Sequence, residues 1–585
     1  MNASTLPPSK STLFLRATLW VLAFSPIILM AALIARFGVD VPRWDGWMTG
    51  NLYHHLYEPS GLHWSDFWAQ HNEGRLLFPK LIMFGLGRLT HWNTKVEMFL
   101  TLTVVFSILS MIYMLFRAHS QRRFEPFGPL LFFLSALALF SPWQREFLIG
   151  FQFYPHLPLA CILAALLVVD SSWPLVLKFL AAAAFCVVSS YSFPHGMIAW
   201  LLVGLYAAGR GIVLRRRDWW IAPAWALACG ATIGFYFQGY VQPPYLPAWV
   251  FFNGDFVPIF LSFLGAPLGQ LTLDNKGYSL AVGFGFVLFA SYLLGFGTVL
   301  VHWRDRPLVR AALPFLLIGA YTLISGLSAT AGRMGSGRNA VSLSTRYAPF
   351  STPFIPALIF LTIVCQRFLR QRYPGSFWTT LSVPLQSFLV GAVCAIHSYS
   401  YMFTIPWFSE LAQQARQGRA ALMVAEYVPS PRLTETIFPN YNFLVEIAPT
   451  MRAHGLIRPA FDIAAFGETS PRPAGGGAFD HLIIQNGSCA ADGWAYLFNK
   501  RRPADAVFLT AQIGDAIRPI AVAFPTNPRE DLRPLVAGGS FHAGWTIHFP
   551  VPPEARQIRA WAVDADSGQI YPLVAPAVST PSTQP

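Results

Sequence analysis

Two groups of residues have types and spacing that could do chemistry: carboxylates held among aromatic rings, and arginines gathered with no acid between them. The first group lies in residues 38–95, where the run VPRWDGWMTG…WSDFWAQHNEGRLLFPK carries Asp45, Asp66 and Glu73 among Trp44, Trp47, Tyr53, Tyr57, Trp64, Trp68 and Trp92. A carboxylate flanked by tryptophans just past an apolar stretch is a costly place for an idle charge, so Asp45 reads as functional. As a group the rings read equally well as an interfacial belt. The run His71-Asn72-Glu73-Gly74-Arg75 adds a second acid beside a cation. The second group is AGRMGSGRNAVSLSTRYAP, which holds Arg333, Arg338 and Arg346 and no acid. A guanidinium presents a planar fork of donors that matches phosphate oxygens, so this loop suggests an anionic headgroup. The alternative is that these arginines pair with Asp45 or Glu73 and stabilise the fold.

Three further clusters belong with these. Trp143-Gln144-Arg145-Glu146 is followed by Gln152, Tyr154 and His156; Tyr191-Ser192-Phe193-Pro194-His195-Gly196 is compact and polar; Tyr240 to Asn253 is rich in aromatic residues and proline. Polar groups gathered at one side of an apolar bundle often line a cavity. His195 taken alone reads more readily as a hydrogen-bonded structural residue. No P-loop, dinucleotide fingerprint, HExxH or GxSxG motif is present, so ATP-driven transport and serine or zincin hydrolysis find no support. His54, His55, His63 and His71 match no metal-ligand spacing, and a divalent metal ion stays an open question.

The elements that must position these residues are apolar. Of 585 residues, 54% are hydrophobic and only 12% charged, with 50 Phe and 19 Trp; the mean hydropathy is +0.44. Those values exclude a disordered chain and an ordinary soluble enzyme, and indicate a polytopic α-helical membrane protein. About eleven stretches meet the length criterion for crossing a bilayer, near 14–36, 96–116, 128–142, 156–170, 174–191, 197–209, 221–240, 279–301, 311–330, 348–366 and 377–401. The net charge of +13 could signal nucleic-acid binding, but the basic residues sit in short clusters between apolar spans. Lys10 and Arg16, Arg117 to Arg123, Arg210 to Arg217, Arg304 to Arg310 and Arg367 to Arg372 all fall on one side of an eleven-span chain. That is the positive-inside pattern: no nucleic-acid partner, a lipid bilayer, and an N-terminus on the cytoplasmic side. Residues 38–95 and everything after about 402 then face outward, which in a bacterium means the periplasm. The first span is longer than a signal-sequence core and reads as an uncleaved anchor. Five of six cysteines lie in apolar spans, so no disulfide framework is expected.

The C-terminal part is different material. Residues 402–470 read as a helical connector, with a helix over Trp407 to Tyr427 near the membrane surface. The breaker run SPRPAGGG at 470–477 reads as a linker. From Phe479 onward the runs HLIIQ, AVFLTAQI, PIAVAF, GWTIHF, QIRAWAVD and QIYPL alternate with turn residues and predict a β-sandwich. The domains expected are thus a helical bundle over 1–401 with its large outer loop at 38–95, the connector, and a β-sandwich with a disordered tail over 471–585.

This layout resembles the GT-C superfamily, polytopic glycosyltransferases that take a sugar from a polyprenyl-phosphate carrier on the outer face. Asp45 stands where the family's catalytic acid lies, in the first outer loop just past the first span, and 479–575 stands where members often carry an outer β-rich domain. Many members have two adjacent acids there, whereas Asp45 is followed by Gly46. The HNEGR run, WQREFLIGFQ, YSFPHG and GRMGSG…STRY also resemble a set seen together in bacterial membrane proteins of this general type. The resemblance implies that Asp45, or failing it Glu73, is the general base for an acceptor hydroxyl. It implies that Arg333, Arg338 or Arg346, with Arg75 or Arg145, clamps the donor phosphate. Trp44, Trp47, His71, Asn72, Glu146, Gln152, His195 and Tyr347 would line the substrate. The donor would be a polyprenyl-phosphate sugar, the acceptor a glycan or lipid-linked glycan, and the location the bacterial inner membrane. The rival readings are a lipid-linked glycan ligase or polymerase, a transporter or flippase of lipid-linked sugars, and an assembly factor without catalysis.

Overall fold

The structure is a computed structural model. It describes residues 10–119, 127–211, 219–244, 254–269, 275–334, 344–375, 377–467, 475–485, 487–535 and 542–574. The described residues form a predominantly helical protein with a C-terminal antiparallel β region. The chain divides into two compact units. One comprises residues 1–38, 63–83 and 95–408; the other comprises 39–62, 84–94 and 409–585.

Among the described residues of the first unit, five helices are long and apolar enough to cross a membrane: Arg16–Phe37, Thr94–His119, Gly277–Val301, Arg306–Arg333 and Thr345–Arg372. Six more apolar helices are shorter: Gly128–Leu139, Tyr154–Asp170, Leu175–Ser190, Pro194–Gly209, Ile221–Phe237 and Phe256–Gly269. These long apolar helices suggest a membrane-associated protein. The expected count of about eleven crossings is not confirmed: five helices reach crossing length, and several expected spans are shorter helices.

Two departures from expectation have clear physical causes. The helix Phe256–Gly269 was missed between the spans expected at 221–240 and 279–301. It has 14 residues with an internal proline, Pro267, fewer than the roughly 20 a crossing needs. It packs backbone to backbone on the helix Asn275–Val301 through glycines. A Cβ at Gly265 would overlap the Ala281 carbonyl oxygen, and one at Gly285 would overlap that of Leu261. Glycine permits this approach, and close approach gives the dispersion contact that holds helices together where water supplies no drive. The other departure is the last helix, which runs unbroken from Phe377 to Met423. The expected end of the bundle at residue 401 falls inside it.

Among its described residues the second unit contains eight strands: β1 (Gly475–Gln485), β2 (Ser488–Leu497), β3 (Arg502–Pro503), β4 (Ala506–Ile513), β5 (Ala516–Ala523), β6 (Gly544–Pro550), β7 (Arg556–Asp564) and β8 (Gln569–Pro572). They form two four-stranded antiparallel sheets, one ordered β1-β2-β3 with β6 also on β2, the other β5-β4-β7-β8. Phe479, Cys489, Leu497, Trp545 and Phe549 of the first sheet share one core with Val507, Leu509, Ala521, Ala562 and Tyr571 of the second. The other face of the second sheet is also covered. Phe508, Val522, Trp561 and Val563 pack on Phe461 and Phe466 and on Ala420, Met423 and Val424 of the long helix. Each large side chain so buried contributes roughly 2–3 kcal/mol. The stretch expected to be a separate connector therefore supplies part of the β region's core.

Candidate functional site

The HNEGR run is a tight turn. His71 and Gly74 exchange both backbone hydrogen bonds, at 2.8 and 2.9 Å. Asn72 at the tip takes φ 48°, a conformation asparagine tolerates better than most residues. The turn presents Glu73, which forms an ion pair with Arg333 from the end of the helix Arg306–Arg333. The pairing considered from sequence is thus made here between an acid and a base 260 residues apart. The Tyr240 hydroxyl donates to the Glu73 carbonyl at 3.3 Å. The Gln70 amide holds the neighbouring strand of chain, donating to the Val241 carbonyl and accepting from the Val241 N–H at 2.7 and 3.0 Å. Gln70, Asn72, Gly239 and residues 241–244 line a shallow groove of about 400 Å³ beside the turn. Ala231, Gly234, Phe235, Phe237 and Gln238 line a second, of about 470 Å³, immediately before it in the chain.

Behind the turn, two cations hold backbone. Arg75 is 5% exposed. Its guanidinium donates to the Tyr236 carbonyl at 2.6 Å, the Trp68 carbonyl at 2.9 Å and the Gln238 carbonyl. With its fork turned to carbonyls, Arg75 fastens the turn to the helix Ile221–Phe237, which is a positioning role and not the phosphate contact expected. Lys80, 4% exposed, donates to the Asp66 and Ala69 carbonyls at 2.9 and 2.8 Å. These carbonyls lie at the C-terminal end of the short helix Trp64–Trp68, where a cation is favourable. Burial pushes the Lys80 ammonium down to about 8, with Asp66 opposing and Arg75 assisting.

The other clusters singled out from sequence meet in the same unit. A Cβ on Gly74 would sit 3.2 Å from the Pro194 ring, so the HNEGR turn rests on the YSFPHG segment. Phe193 of that segment contacts Tyr154 and Phe350, with ring centroids 5.7 and 5.0 Å apart, and the His195 ring meets Phe350 edge-on at 5.0 Å. His195 is thereby packed among aromatic rings, with its Nδ1 buried. Next along the chain from Phe350, the single 3-10 turn Thr345–Tyr347 packs on the 3-10 turn Arg145–Leu148. There the Thr345 hydroxyl donates to Glu146 Oε1. Glu146 Oε2 is shut off from solvent and, among the described residues, accepts no hydrogen bond. Burial raises the Glu146 carboxyl to about 6, against the lowering effects of the Thr345 hydrogen bond and of the Arg145 and Arg346 charges. Arg145 lies over the Trp407 ring at 4.5 Å and Arg346 over Tyr347 at 5.3 Å. Gln152 is half-buried and Tyr347 nearly buried.

Arg338 lies outside the described residues. Asp45, Trp44 and Trp47 belong to the second unit. Trp44 and Asp45 open a 3-10 turn, with Trp44 exposed at φ 50° and Asp45 half-buried. The Trp44 N–H donates to the Ile437 carbonyl at 2.6 Å. Buried Arg43, lowered by that burial to about 10, donates to the Thr436 carbonyl at 2.9 Å. These bonds bind the Asp45 turn to the segment 431–437. Trp47, expected on a substrate surface, is fully buried: its ring meets Trp92 edge-on at 5.6 Å and its Nε1 donates to the Pro42 carbonyl at 3.1 Å. It builds core. As for a metal, His54 is paired with Glu58 at 2.9 Å, and no three His, Cys, Asp or Glu side chains gather to hold an ion among the described residues.

Thr345 and Lys80 were not singled out from sequence as site residues. A threonine in STRY gives no local hint that its hydroxyl reaches a carboxylate 199 positions earlier. No family model matches the chain, and no curated protein matches it.

Proposed function

We propose that the chain is a multi-pass membrane glycosyltransferase of the GT-C kind. It moves a sugar from a polyprenyl-phosphate donor to a glycan or lipid-linked acceptor at the periplasmic face of a bacterial inner membrane. The observation that supports this best is the meeting of HNEGR, YSFPHG, WQREF and STRYAPF in one helical unit, which gathers the carboxylates Glu73 and Glu146 with Arg145, Arg333 and Arg346. Cations so placed stabilise charge as it builds on a departing phosphate, the largest lever usually open to an active site. A carboxylate base accepts the proton of the acceptor hydroxyl. Phe256–Gly269, which carries Pro267 and packs on Asn275–Val301 through glycines, is re-entrant. Phe377–Met423 crosses along with the five long helices and the five remaining short ones, which keeps the basic clusters cytoplasmic and the β region periplasmic.

The test compares surface and lipid-linked glycans, by mass spectrometry, in a strain lacking this chain and in the same strain carrying wild type, Asp45→Asn or Glu73→Gln. Loss of one sugar's mass, restored by wild type, supports the reading, and a variant that fails to restore it marks a carboxylate the transfer requires. An unchanged glycan profile in the strain lacking the chain sinks it.

A further inference from the structure

Resting on that reading, we propose that Glu146 is the group that takes the acceptor's proton, with Thr345 as its positioning residue. The observation is geometric. Both oxygens of a carboxylate ordinarily accept hydrogen bonds when buried, because an unpartnered buried acceptor costs about 1–3 kcal/mol. Here Oε1 is held by the Thr345 hydroxyl and Oε2 is buried with no partner among the described residues. A buried acceptor without a partner beside Thr345, Arg145 and Arg346 calls for an explanation, and a proton arriving from a substrate hydroxyl supplies one. Glu73, by contrast, is already engaged by Arg333.

The electrostatics agree. The charged groups facing Glu146 are Arg145 on its own turn and Arg346 on the turn packed against it. The helix Ser25–Phe37 also packs on the Arg145–Leu148 turn, and its one charged group, Arg36, lies over the Phe37 ring. Burial outweighs the Thr345 hydroxyl, the residue's own backbone N–H and the two arginines and leaves the carboxyl at about 6, so it is largely ionised at neutral pH yet basic enough to hold a proton, the tuning a general base needs. The step balances. The acceptor oxygen forms a bond to the anomeric carbon, the bond from that carbon to the phosphate oxygen breaks, the hydroxyl proton passes to Glu146 Oε2, and polyprenyl phosphate leaves between the arginines.

The test has two parts. First, the full chain in lipid nanodiscs is titrated from pH 8 to 4 by infrared difference spectroscopy. A buried-carboxyl band with a midpoint near 6 is expected in wild type. It should be absent from Glu146→Gln and moved to higher pH in Thr345→Val, where the hydrogen bond that lowers it is gone. Second, membranes of the complemented strains, with their own donor lipids, are assayed for sugar transfer between pH 5 and 8. Glu146→Gln should lose roughly a hundredfold or more, and the acid limb of the wild-type profile should shift upward in Thr345→Val. Transfer within a few-fold of wild type in Glu146→Gln, or an acid limb that Thr345→Val does not move, overturns the proposal. A missing infrared band overturns it too. A strain lacking the chain with unaltered glycans would instead remove the transferase reading on which the proposal rests, whatever the infrared titration shows.

Discussion

At the scale of single residues the charged groups of the helical unit divide into those that hold backbone and those that face other side chains. Arg75 and Lys80 hold backbone. Replacing Arg75 by Gln should cost about 3 kcal/mol, since it strands three carbonyls in a buried place, and should lower the midpoint of thermal unfolding in detergent. A midpoint equal to wild type would show those bonds to be dispensable. Lys80 gives a pH prediction with a definite sign. Its folded value of about 8 lies below the ordinary 10.5, so between those values the unfolded chain binds more protons than the folded one. Stability should then rise with pH from about 8 to about 10.5 and be flat for this group below 8, by at most roughly 3 kcal/mol. Denaturation at pH 7.5 and 9.5 checks this: the gain at the higher pH should be present in wild type and missing from Lys80→Met. For Glu73 and Arg333 the decisive comparison is the charge swap. If the pair is only a strut, Glu73→Arg with Arg333→Glu should regain much of what either single change loses in glycan transfer. If Glu73 or Arg333 meets substrate, the swap should stay as inactive as the singles.

At the scale of elements, glycine sets how closely backbones approach. Gly265 and Gly285 are the contact between the helices Phe256–Gly269 and Asn275–Val301, and a side chain at either overlaps backbone that has nowhere to go. Gly265→Val should therefore separate the pair and reduce the yield of monodisperse protein severely, whereas Gly283→Val, which meets open space, should be tolerated. Equal behaviour of the two variants would refute the packing. In the β region the same rule governs β2, the strand shared by β1, β3 and β6. Gly493 there lies under the Trp545 ring and against the Ala478 carbonyl. Small residues make SCAADGWAYL a poor strand by propensity and a good one in place, because the partner sheet brings Trp545 and Phe479 over it. This is why six strand runs were legible while the central β2 was not; the two-residue β3 is too short to show any period.

At the scale of the whole molecule, the division into units does not follow chain order. Residues 39–62 and 84–94 belong with 409–585, and the helices Trp47–Tyr57 and Tyr441–Ala453 pack on each other with Gly50 close to Ile447. The breaker run at 470–477 promised a clean cut, yet Phe461, Phe466 and the end of the long helix lie in the core that Phe508 and Trp561 complete. A chain ending at 470 should expose that apolar surface and aggregate in detergent while the full chain stays monodisperse. A well-behaved truncated protein would restore the boundary read from sequence.

What the sequence determined by itself was what composition and period can carry: an apolar helical protein, basic clusters between spans, a β-rich C-terminal part, and the segments HNEGR, WQREF, YSFPHG and STRY as places where polar groups concentrate. These are sums over neighbouring residues, and hydropathy and alternation report such sums faithfully. What only the tertiary structure decided was pairing across long separations. That Glu73 meets Arg333, that Thr345 holds Glu146, that Arg75 faces carbonyls and that Trp47 is core all depend on which helix ends come together. A side chain's partners across 199 or 260 residues leave no mark on the residues beside it. Burial, which raises Glu146 and lowers Lys80, exists only once those partners exclude water.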